Sequence, residues 1–240
     1  MYVQVSMAIR KFLVSESTGG EGDVRSMYLD ARGLVTTGRG NLLPDSASAN
    51  NIGGVSLTWQ RLDNGAVASP TEVAAEWTRV GSDETKKRQI PNYAVIGGGN
   101  FITQAKKLGI VTLQLTDASL NSLFKAALAQ MEGIVKATPG MGDFDKIPGG
   151  FPADAELAIL AVAWAKGHLE PALRDACKAR QWGLIAANGL YKLQWGNIRA
   201  GKDAAIKKCF ENAQAVEDQL ARNPNADVRI ISPPYDMMAI

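Results

Sequence analysis

The segment Ala153–Lys166, ADAELAILAVAWAK, restricts the fold more than any other stretch of this chain. Leu157, Ile159, Leu160, Ala161, Val162, Ala163 and Trp164 leave it almost no polar face, so a helix here must be buried on most sides. It cannot find that burial in a membrane, because neither it nor any other run reaches the roughly 18 apolar residues of a span. It needs a protein body around it. A chain of 240 residues with 46% hydrophobic content has the material, in one domain or two closely packed lobes.

The rest of that body reads mostly as helix. Leu120, Leu123, Phe124, Ala127, Leu128 and Met131 recur at three- and four-residue spacing and predict an amphipathic helix over 117–137. Thr116-Asp117 opens it and Pro139-Gly140 stops it. Ser69-Pro70-Thr71-Glu72 predicts a capped helix over 71–79. Further helices are expected over 171–187 and 203–220. A loop is expected over 139–152. Val5, Ile9, Phe12 and Leu13 make a helical stripe over 3–17, which Thr18-Gly19-Gly20 interrupts.

Charge and cysteine content exclude several functions. The formal net charge of +2 is far from a nucleic-acid-binding signature, though it suits an anionic polymer. Lys86-Lys87-Arg88 reads as a solvated run. Cys177, Cys209 and the single histidine, His168, lack metal-ligand spacing. The two thiols read as free, with a disulfide left open for an oxidising compartment. Gly97-Gly98-Gly99 lacks the flanking pattern of a phosphate loop and reads as a turn. No metal or other cofactor is implied. Residues 1–11 lack a basic stretch followed by an apolar one, so no secretory signal is expected. Synthesis in the cytoplasm is the corresponding expectation.

Residues 21–40 differ in character. Met27-Tyr28-Leu29-Asp30 and Gly33-Leu34-Val35-Thr36-Thr37-Gly38 read as short strands around a turn near Ala31-Arg32-Gly33. A polar stretch from Ser46 to about Gly54 reads as loop, and 81–112 as an extra segment without a clear pattern. The acids Glu21 and Asp30 stand on either side of this change of structure. Glycoside hydrolysis usually needs two carboxyl groups flanking the scissile bond, one protonated and one ionised. A glutamate after a helix and an aspartate in a hairpin could supply them. Taken singly, Glu21 also fits a surface acid, Asp30 a turn residue, and Thr36 an ordinary strand residue.

Together, the residues E-G-x5-Y-x-D-x2-G-x2-T-x-G-x-G from Glu21 to Gly40 resemble the phage-type lysozymes of glycoside hydrolase family 24. The resemblance implies an α+β, mostly helical lysozyme-like fold. A single domain would span 1–240, with a small N-terminal β lobe over about 1–60 and a larger helical lobe over 61–240. It implies that Glu21 is the general acid, and that Asp30 and Thr36 hold the attacking water so that the anomeric carbon inverts. It implies a muramidase acting on peptidoglycan glycan strands in the cell wall or periplasm. Asn41 stands where the family usually has a histidine. Tyr28, Arg39 and Asn41 are candidate substrate contacts. The setting is either a phage endolysin or an antibacterial effector, which would imply a delivery machine and an immunity protein. The alternative is a chitin-directed enzyme, or a lysozyme-fold module without turnover.

Overall fold

The computed structural model describes residues 24–30, 32–83, 85, 105–145, 150–192 and 200–224. The expected helix over 3–17, the Gly19-Gly20 interruption, Glu21, the Lys86–Arg88 run and the Gly97–Gly99 turn lie outside them. The fold is α+β, with short antiparallel strands towards the N-terminus and a larger helical region after them. Two compact units divide the chain, one ending at Ala127 and one beginning at Leu128.

In the first unit, β1 (Val24–Leu29), β2 (Val35–Gly38) and β3 (Asn41–Leu42) form an antiparallel meander. Tyr28 lies opposite Thr36 and Leu29 opposite Val35. Met27, Leu29 and Val35 join the core. Gly33, Gly38 and Gly40 hold φ of 74°, 62° and 85° at the two turns. An L-residue in that region costs roughly 1–2 kcal/mol, which explains glycine at these three positions of the motif.

Two pieces of the unit depart from the sequence-based expectation. The polar stretch to Gly54 is not all loop. It contains a hairpin of β4 (Asn51–Ile52) and β5 (Val55–Ser56). Gly53 and Gly54 both have positive φ, as a two-residue hairpin turn demands. Helices do not follow directly either. β6 (Trp59–Arg61) pairs with the distant β7 (Leu113–Leu115), with Trp59 opposite Leu115. That pairing keeps the residues after 61 with the strands, so the first unit runs on to Ala127.

Between β6 and β7 lies α1 (Pro70–Gly81). Ser69 and Glu72 form a reciprocal capping box, and Pro70 occupies the first turn, where a missing N–H costs nothing. Then α2 (Asp117–Ala137) begins. The Thr116 hydroxyl accepts the Ser119 N–H at 3.2 Å, and the Ser119 hydroxyl accepts the Thr58 N–H at 2.8 Å. The cap therefore also ties the helix start to the residue before β6. Asp117 itself pairs with Arg25.

The second unit is helical: the end of α2, then α3 (Ala153–Lys166), α4 (Pro171–Lys178), α5 (Trp182–Asn188) and α6 (Ala200–Arg222). Every residue from Ala153 to Ala163 is buried, as the missing polar face requires, and α3 packs against α6. Trp164 is only half-buried, because burial ends with the last turn before Gly167. Trp182 is fully buried between Phe151 and Phe210. Neither cysteine is in a disulfide, and both are buried. Burial pushes the Cys177 thiol up to about 12, so it stays protonated and inert. No helix of the described residues is long and apolar enough to cross a membrane.

The helix expected over 171–187 is two helices. At the break, Gln181 N–H bonds to Ala176 O and Arg180 N–H to Cys177 O, a Schellman closure with Arg180 at φ 53°. No glycine announces it. Arg180 offsets the left-handed cost by bonding Glu217 at 2.7 Å and the Gly150 carbonyl at 3.1 Å. Its guanidinium also lies over the Phe151 ring.

One buried acid makes this unit's stability depend on pH. Asp154 accepts a 3.3 Å hydrogen bond from Asn212, and burial raises its pKa from 3.8 to about 6. A raised folded-state pKa favours folding of the neutral form. Its contribution is full below the unfolded value and lost as pH rises through the folded one. Asp154→Asn keeps the acceptor and removes the charge. It is expected to stabilise the protein at pH ~7.5 by up to about 3 kcal/mol and to change little at pH ~4. Urea titrations at the two pH values check this; a less stable variant at the higher pH contradicts it.

Candidate functional site

The β1–β2 hairpin brings Asp30 and Thr36 together through one residue, Leu34. The Leu34 N–H donates to Asp30 Oδ1 at 2.9 Å. The Leu34 carbonyl accepts the Asp30 N–H at 2.8 Å and the Thr36 hydroxyl at 3.1 Å. Asp30 Oδ1 also accepts the Arg32 N–H at 2.8 Å, and Gly33 N–H closes the turn on the Asp30 carbonyl. The turn role of Asp30, one of the two readings its sequence position allows, is thus real. It uses Oδ1. Among the described residues Oδ2 takes no backbone hydrogen bond, and it has Arg32 Nε at 3.7 Å.

The local sequence explains the arrangement. Asp ahead of a glycine-containing turn folds its carboxylate onto the N–H groups two and four residues on. Gly33 supplies the positive φ that returns the chain. Thr36 then falls opposite Tyr28, on the sheet face away from Leu29 and Val35. Tyr28 and Thr36 are both buried, while the Asp30 side chain is 24% exposed. The carboxylate is therefore the accessible member of the set.

Arg39 and Asn41 are engaged within the protein. Arg39 is 2% exposed, with its guanidinium 4.7 Å from the centre of the Phe124 ring. Such a stacked contact is a packing element of the β2–β3 turn. Asn41 Oδ1 accepts the Arg39 N–H at 3.2 Å. It also sits where a Cβ on Gly38 would come within 2.7 Å. These residues shape the β2–β3 turn, at the other end of β2 from the Asp30 turn. Glu21 lies outside the described residues.

A second acid escaped sequence reading. Glu76 in α1 is fully buried. Its Oε2 accepts the Thr112 N–H and hydroxyl, both at 2.7 Å, and Arg79 at 3.4 Å; its Oε1 accepts the Leu113 N–H at 3.2 Å. Burial raises its pKa against the pull of those donors. A raised pKa alone would suit a general acid. The surrounding donors and lack of exposure make it a strut between α1 and β7 instead. Its signal was a glutamate in the helical stripe Val73, Glu76, Val80.

The first unit also contains a cleft of about 910 Å³. Glu72, Ala75 and Arg79 form its wall on one face of α1. The turn after β6 and the Lys106–Leu113 stretch close the other sides. Among the described residues, no three His, Cys, Asp or Glu side chains gather as metal ligands would. Comparison with protein-family models, curated proteins and solved structures finds no match.

Proposed function

We propose that this chain is a peptidoglycan hydrolase that cleaves the β-1,4 bond between N-acetylmuramic acid and N-acetylglucosamine by acid/base catalysis. The observation that carries the reading is the Leu34 hub, which hooks the Asp30 carboxylate and the Thr36 hydroxyl to the two ends of one residue. Asp30 Oδ2 remains as a proton acceptor. The Thr36 hydroxyl spends its proton on the Leu34 carbonyl, so its oxygen is left as an acceptor. Asp30, the accessible member, takes the proton of a water as it attacks, and the buried Thr36 oxygen is a second acceptor behind it.

Glu21 supplies the opposing acid in this scheme, on the strength of the family resemblance. It donates a proton to the leaving oxygen, and attack of water from the opposite face inverts the anomeric carbon. The substrate is the glycan strand of the cell wall, and the chemistry needs no metal. Turbidity loss of a purified cell-wall suspension tests the proposal. Wild type should clear it. Glu21→Gln should reduce the rate by about 10²–10⁴-fold. Equal rates for the two overturn the assignment, and no clearing by wild type favours a module without turnover.

A further inference from the structure

We propose that the cleft between α1 and the Lys106–Leu113 stretch binds a carboxylate of the substrate, with Lys106 and Arg79 as its contacts. The inference rests on the peptidoglycan reading and extends it to a second site. The charge inventory supports it. Three cations, Arg61, Arg79 and Lys106, and two acids, Asp63 and Glu72, line the cleft. They are not equally available: Asp63 is exposed and acts, with Glu72, on Arg61. Glu72 is spent on Arg61, which grips both of its oxygens at 2.7 and 2.9 Å, and on the Ser69 cap. That bidentate pair neutralises itself.

Arg79 gives one terminal nitrogen to Glu76 and Thr112. Among the described residues its Nε and other terminal nitrogen have no acceptor, and its side chain is 43% exposed. Lys106 is exposed and has no ion pair among the described residues. The cleft thus presents uncommitted donors on two walls, beside an apolar floor of Val111 and Leu113. Its volume is that of sites for small organic ligands. An uncross-linked wall fragment offers matching groups: carboxylates on a lactyl ether or a stem peptide, attached to a sugar.

The test is a ¹⁵N-HSQC titration of the whole protein with three probes. These are the N-acetylglucosamine–N-acetylmuramic acid disaccharide bearing its tetrapeptide, the same disaccharide without peptide, and neutral chitobiose. An acidic probe is expected to bind about fivefold or more tighter than chitobiose, with amide shifts centred on 106–113. Lys106→Gln, at an exposed position, should lose that advantage. Binding of both acidic probes assigns the lactyl carboxylate, and binding of the tetrapeptide probe alone assigns the stem peptide. Chitobiose binding as tightly as both, or a Lys106→Gln protein that still discriminates, overturns the site. The titration is independent of turnover. Acidic-probe binding by a protein that never clears cell walls would keep the cleft and remove the hydrolase reading.

Discussion

Asp30→Asn is expected to lower cell-wall turnover by about 10²–10⁴-fold while leaving the fold in place. The two oxygens of Asp30 have separate duties. Oδ1 holds the turn by accepting the N–H groups of Arg32 and Leu34. An asparagine carbonyl does the same, so the stability change should stay below about 1 kcal/mol. In the proposed reaction Oδ2 is the atom that accepts the proton. In asparagine an NH₂ stands there, which donates where the water's proton must be accepted. Asp30→Ala provides the contrast, since it removes the turn bonds and the base together. Thermal unfolding and cell-wall clearing are measured for all three proteins. An active Asn variant removes Asp30 from the chemistry. An Asn variant as unstable as the Ala variant shows that the carboxylate's charge, beyond its acceptor, maintains the turn.

Glu76→Ala should cost about 3–5 kcal/mol of folding stability, the range for deleting one member of a buried charged network. The carboxylate satisfies the N–H groups of Thr112 and Leu113 at the start of β7. Without it, the buried Leu113 N–H stands with no acceptor, at roughly 1–3 kcal/mol, while the Thr112 N–H, on an exposed residue, turns to water. Glu76→Gln keeps one acceptor and should lie between the two. Urea denaturation measures the series, with the slope confirming an unchanged unfolding transition. A loss below about 1 kcal/mol for the alanine variant would show that water replaces the strut.

Long elements with signals at both ends were legible in the sequence. The helix over 117–137 has the bounds that Thr116-Asp117 and Pro139-Gly140 predict, and the apolar run over 153–166 is a helix with the expected ends. The helix that begins after Ser69 runs to Gly81, slightly past its expected end. The first hairpin was legible too, because Asp30 and Gly33 carry turn chemistry in their side chains. β6 and β7 were not. Each has three residues, and what makes them strands is each other, across a long stretch of intervening chain. The break at Arg180 was equally silent, since tertiary contacts to Glu217 and Gly150 hold it rather than a glycine.

The site was partly legible for the same reasons. The pairing of Tyr28 with Thr36 follows from the turn position. The link through Leu34 does not, because it uses backbone groups that every residue has. Arg39 misled for a related reason: an arginine in a glycine-rich turn suggests an exposed contact, and only the fold reveals the Phe124 ring beneath it.

The products of the proposed reaction test it most directly. Purified peptidoglycan is digested with the wild-type protein, and the soluble fragments are identified by mass spectrometry after borohydride reduction. The proposed chemistry predicts fragments ending in a reducing N-acetylmuramic acid, absent from digests with Glu21→Gln. Fragments ending in a reducing N-acetylglucosamine, or carrying an anhydro sugar, would contradict it.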